Sequence, residues 1–147
     1  MAHGADHNPD RNTVQSGSLR LRRFPEDITV AQDRILALAA EQGYPDASTF
    51  ALRLVLEESI SNAFRHGNKM REGAHVDVEW AIGPDQAVLS VEDQGEGFDP
   101  ESLPDPTDED RLELPSGRGV LLIRAYMSEV EYNDRGNRLT MTYRRPS

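Results

Sequence analysis

Residues 76–91 decide most of what this chain can become. Val76, Val78, Trp80 and Ile82 alternate with other residues, "GPDQ" follows, and Ala87, Leu89 and Val91 resume the alternation. Strand side chains point to opposite faces with a period of two, so this stretch is a hairpin with one dry face. A one-sided sheet needs a second layer over that face. Stretches of helical period supply it. Across 27–42, Ile28, Ala31, Ile35 and Leu38 mark one face of a helix that Gly43 stops. A second helix is predicted over 46–67, with Asp46 as its N-cap and Gly67 at C′. "LRLRRF" (19–24) reads as a first strand ended by Pro25. "GVLLIRAYMSEV" (119–130) begins as a helix and passes into a strand, and "VEYNDRGNRLTMTY" reads as a hairpin turning at "DRGN". The predicted fold class is α+β: a two-layer α/β sandwich, its sheet mixed but mostly antiparallel, with three helices on one face.

A chain of 147 residues suits one such domain, assigned to 18–147. Residues 1–17 are polar and aperiodic and are expected to form a disordered tail. Without cysteine there is no disulfide, thiolate metal site or cysteine nucleophile. No apolar run approaches the ~18 residues of a spanning helix and no signal-peptide core is present, so a cytoplasmic protein off the membrane is expected. The formal charge is −10, and residues 93–113 hold nine acidic side chains against one arginine. That surface repels a phosphate backbone, which argues against direct nucleic-acid binding. It is either a solvated acidic loop or a docking surface for a basic partner.

Three places break the apolar pattern. On the second helix Ala51, Val55, Glu58, Asn62 and His66 fall within a stripe about 80° wide, which starts apolar and turns polar. On the second strand of the hairpin, Asp93 continues the row of Ala87, Leu89 and Val91 and opens "DQGEGF". "SGRGV" (116–120) puts two glycines at a helix start. Buried polar groups cost a few kcal/mol each unless paired. One account covers all three: a cleft between helix and sheet where a polar ligand supplies the partners. Glycines at a helix start let backbone N–H groups approach phosphate. The Asn62 amide oxygen suits Mg²⁺, the Glu58 carboxylate can take a proton from a hydroxyl, and Asp93 can accept from an exocyclic amine such as adenine's. Mg-ATP fits the set. Read singly, Asp93 could be a turn aspartate, and His66 near a helix C-terminus is structural. Glu57, about 100° away from Glu58, faces solvent.

The ordered motifs "EESISNAFRHG", "DQGEGF" and "SGRGVLLI" resemble the N, G1 and G2 boxes of the GHKL ATPase superfamily. The short form resembles the bacterial anti-sigma-factor serine/threonine-protein kinases, over about residues 18–145. The resemblance implies a Bergerat-type fold binding ATP and Mg²⁺. It implies Glu58 as the base and Asn62 as the magnesium ligand. Asp93 would bind adenine, Gly95 and Gly97 would shape the pocket floor, and Gly117, Arg118 and Gly119 would form the phosphate loop. It also implies phosphorylation of a STAS-type anti-sigma-factor antagonist, sequestration of a sigma factor, and a homodimer. The competing reading is a non-catalytic ATP-binding module that switches partners. A histidine-kinase fragment is a third, and it would need a phosphoacceptor histidine from elsewhere. Arg111 is the one candidate in the acidic stretch to reach phosphate.

Overall fold

In the computed structural model, which describes residues 13–95 and 115–146, the hairpin expected from the alternation becomes the middle of a five-stranded sheet. The elements run β1 (Gln15–Leu21), α1 (Glu26–Glu41), α2 (Asp46–Asn62), a π-helical turn (Ala63–Gly67), β2 (Val76–Ile82), β3 (Gln86–Glu92), α3 (Pro115–Tyr126), β4 (Glu129–Tyr132) and β5 (Arg138–Arg144). Strand order is β1-β2-β3-β5-β4, and each of these neighbours pairs antiparallel. The last hairpin therefore inserts its second strand beside β3 and leaves β4 at the edge.

The inner rows are those the alternation marked. Val76, Val78, Trp80 and Ile82 join Ala87, Leu89, Val91, Leu139 and Met141 in one buried cluster with Ile28, Ile35, Leu52, Val55, Leu56, Ile60 and Ile123 of the helices. Trp80 is 5 % exposed, inside as its strand face requires. The helices lie side by side with α2 in the middle. The outer face of the sheet is polar, crossed by the Arg20–Asp77, Arg138–Glu79, Arg138–Glu92 and Arg144–Glu129 ion pairs. Among the described residues no helix is long and apolar enough to cross a membrane.

Several boundaries move, each for a physical reason. β1 begins at Gln15 rather than Leu19, so the tail expected over 1–17 gives up Gln15, Ser16 and Gly17 to the sheet. The small residues of "QSGS" pair because of what lies opposite. Gly17 faces Trp80, and a Cβ there would sit 2.5 Å from the indole. At its other end β1 stops at Leu21, not Phe24, because the Asp27 carboxylate accepts the N–H groups of Arg22 and Arg23, both at 2.9 Å, and draws the chain out of the ladder. Asp46 is not the N-cap of α2. Pro45 holds that position, its carbonyl accepting from Ser48 and Thr49. Gly43 does adopt the left-handed conformation (φ 82°) that ends α1. Helix α3 starts at Pro115, upstream of the expected 119, with proline at the first helical position, where its missing N–H costs nothing.

Candidate nucleotide site

Helix α2 presents Glu58 and Asn62 one turn apart, on the line that runs from the buried Ala51 and Val55. Both are half-buried, and neither side chain is hydrogen-bonded or ion-paired among the described residues. The stripe stops there. Past Asn62 the helix widens, and the Asn68 N–H reaches back to the Ala63 carbonyl at 2.8 Å, closing a π-helical turn. The wider turn carries His66 off the line and leaves it exposed, with no hydrogen bond among the described residues. Glu57 is exposed, as its angle on the helix requires.

Asp93 closes the inner row of β3. Its N–H donates to the Asn137 carbonyl at 2.9 Å, its own carbonyl accepts from Asn137 Nδ2 at 3.1 Å, and its Oδ1 accepts the Gly95 N–H at 2.8 Å. Oδ2 makes no hydrogen bond among the described residues. Burial pushes the carboxyl above the usual carboxylate range. The Gly95 N–H opposes that shift, the Glu92 charge adds to it, and Arg135 draws it back. The half-buried Tyr132 phenol is also raised by burial, with Arg124 opposing and Asp93 adding.

The end of α2 and the turn after β3 fit together through missing side chains. A Cβ on Gly67 would lie 2.2 Å from the Asp93 carboxyl, and one on Gly95 would lie 2.0 Å from the Gly67 carbonyl. Gly67 is therefore not the left-handed C′ residue its position suggested. The positive φ falls on Lys69 (54°) and Met70 (56°), and Gly67 is glycine because the carboxylate sits against its Cα. Gly117, Arg118 and Gly119 lie in the first two turns of α3, which packs along α2. Gly97, Arg111 and the acidic residues of 96–114 fall outside the described residues.

The sequence reading missed four residues here: Gly67 as a contact, Asn68, Gln94 and Asn137. Their signal was faint. Only the adjacency of "HGN" and "DQG" to two suspected motifs could have raised them.

The residues present suit a magnesium nucleotide. No group of three or more His, Cys, Asp and Glu able to hold a metal occurs among the described residues. Mg²⁺ asks for little from the protein, since it keeps waters and phosphate oxygens in its shell, and an unengaged amide oxygen matches that donor set. The free Oδ2 of Asp93 and the glycine-lined contact beside it suit a flat ring with an amine at its edge.

A one-sided antiparallel sheet with three helices over it, carrying carboxylate and amide groups unengaged among the described residues, is the frame of an α/β domain open to a polar ligand. The model of the histidine kinase-like ATPase domain family matches residues 21–143, and the chain belongs to that family. It is similar to proteins named serine-protein kinase RsbW. That of Oceanobacillus iheyensis is 28 % identical over 116 residues, covering 75 % of this chain and 73 % of the relative. That of Listeria monocytogenes is 26 % identical over 132 residues (85 % and 84 %), and that of Bacillus subtilis 23 % over 139 residues (90 % and 87 %).

Proposed function

We propose that this protein is an ATP-dependent serine/threonine-protein kinase acting as an anti-sigma regulatory factor in the bacterial cytoplasm. In this reading it phosphorylates a STAS-type antagonist and sequesters a sigma factor when that antagonist is spent. The observation that carries the reading is Glu58: a half-buried carboxylate, unengaged among the described residues, one turn from Asn62. Holding a nucleotide does not require a carboxylate there, whereas removing a proton from a hydroxyl does.

Bound magnesium would neutralise charge on the phosphates. The rest of the work falls to the chain. Asp93 orients the base through its free oxygen. Asn62 offers its amide oxygen to the metal. Glu58 accepts the proton of the attacking hydroxyl as its oxygen bonds to the γ-phosphorus and the bond to the β-phosphate oxygen breaks, leaving ADP. Gly117, Arg118 and Gly119 would receive the phosphates at the start of α3.

The test is transfer of label from γ-labelled Mg-ATP to a STAS-domain protein encoded beside this one. The reading expects acid-stable phosphoserine or phosphothreonine. An acid-labile product would point to histidine. Partner release driven by ATP binding without any transfer would establish the non-catalytic module instead.

A further inference from the structure

Asn68 is 1 % exposed, and both ends of its side chain are used. Oδ1 accepts the Gln94 backbone N–H at 2.7 Å and Nδ2 donates to the His75 carbonyl at 2.9 Å. Gln94 completes the ring, its Oε1 accepting the His75 N–H at 2.7 Å. Three segments distant in sequence are thus tied at one point: the end of α2, the approach to β2 and the turn after β3. The backbone is bent to allow it. Lys69 and Met70, directly after Asn68, are consecutive non-glycine residues in the left-handed region, a conformation that persists only where surrounding structure enforces it.

The Gln94 N–H that Asn68 holds belongs to the Asp93–Gln94 peptide, and the Gly95 N–H on Asp93 Oδ1 to the next one, Gln94–Gly95. With the first peptide fixed by Asn68 and the Gln94 side chain fixed by the His75 N–H, the second is set as well, and with it where the remaining oxygen, Oδ2, can point. Gly67, the residue before Asn68, packs its Cα against the same carboxyl. The clamp and the contact act on one carboxylate from one helix end.

We infer that Asn68 is a positioning residue that sets the purine preference of the site by holding the Gln94 peptide, and through it Asp93, in one orientation. This rests on the reading of Asp93 as the acceptor for the base. An oxygen held in place accepts from the amine of adenine and meets the carbonyl of guanine acceptor to acceptor. An Asp93 free to swing discriminates less, because it can turn away from the guanine carbonyl and no longer waits for the adenine amine.

The experiment measures Mg-ATP and Mg-GTP affinities by calorimetry on wild type, Asn68→Ala, Gln94→Ala, Gln94→Glu and Arg145→Ala, with a thermal melt for each. Asn68→Ala is expected to lose roughly tenfold in ATP affinity, the worth of one good hydrogen bond, and less for GTP, so the preference contracts. Gln94→Ala should contract it in the same direction. Gln94→Glu keeps an acceptor for the His75 N–H and should hold the wild-type ratio. Since the Gln94 side chain lies at the surface, this pair carries the test even if Asn68→Ala fails to fold. Arg145→Ala loses stability far from the clamp and should leave the ratio unchanged. An Asn68→Ala protein that melts lower yet keeps the full ATP preference, as Arg145→Ala does, would overturn the inference, as would a Gln94→Ala protein with the wild-type ratio. Wild type that binds no nucleotide, or both alike, would refute the base-acceptor reading itself.

Discussion

At the scale of single residues, Glu58 and Asn62 are neighbours on one helix face to which the proposed kinase reading gives different tasks. Glu58→Gln keeps size and hydrogen bonding but cannot take a proton from a hydroxyl. Phosphotransfer should fall by roughly 10²–10⁴ while Mg-ATP affinity changes little. Asn62→Ala removes the proposed metal ligand, so on that reading metal-dependent binding and transfer should fall together. Single-turnover transfer and equilibrium binding on both variants check this, and near-normal transfer by Glu58→Gln would remove its role as base. Asp93 adds a pH dependence. Burial holds its carboxyl above the usual range, so nucleotide affinity should weaken as pH falls through that raised pKa and the acceptor is protonated. Stability moves the other way. A carboxyl raised in the folded state binds its proton more tightly there than in the unfolded chain. Its contribution to stability is therefore present below the unfolded pKa and lost as pH rises through the folded one. Asp93→Asn, which adds a donor where the proposed reading needs an acceptor, should cost roughly ten- to a hundredfold in ATP affinity and flatten the pH dependence of binding, read by calorimetry across a pH series.

Elements show where local pattern is decisive and where it is not. The β2–β3 hairpin was legible because its signal has a period of two and needs no distant partner. The polar continuation of the α2 stripe was legible as far as Asn62, since side chains that break a core pattern announce themselves against it, but not the π-helical turn that takes His66 off the line. β1 was not: "QSGS" has no strand pattern of its own and pairs because Gly17 leaves room for Trp80, sixty-three positions on. Gly67 was misread for the same reason, its cause being a carboxylate on another strand. The end of α1 illustrates a purely structural long-range contact. Arg145 donates to the carbonyls of Gln42 and Gly43, both at 2.7 Å, and to Pro84 at 3.4 Å, with its guanidinium 5.0 Å from the Tyr44 ring centre. Tyr44 in turn donates to the Gly83 carbonyl at 2.7 Å, and burial pushes its phenol up to about 12. Arg145→Ala should lower stability by about 1–3 kcal/mol, measured by chemical denaturation, without altering nucleotide binding.

The molecule as a whole is a sheet covered on one face, and its edges set its tolerance to trimming. A chain beginning at Ser18 loses Gln15, Ser16 and Gly17 from the register of β1 with β2, uncovering the strand that carries Trp80. It should melt several degrees below a chain beginning at Thr13, since even ~1 kcal/mol moves the midpoint by about 2–8 °C for domains of this size range. Equal melting temperatures would show that the first three residues of β1 contribute nothing. At the other end the sheet order gives the last strand more weight than its position suggests. β5 follows β4 in chain order, the last of the described elements, yet lies between β3 and β4, and the residue just before it, Asn137, grips Asp93 on both its N–H and its carbonyl. On a ribosome that reads from the N-terminus, the strand that joins β3 to β4 is therefore made after both of them. Until it emerges, β3 presents a bare hydrogen-bonding edge, the kind of surface on which unfinished chains pair with one another, and the Asp93 backbone lacks its Asn137 partners. A message cut short after codon 137 would yield a sheet that ends at β3, with β4 deprived of the strand it pairs with.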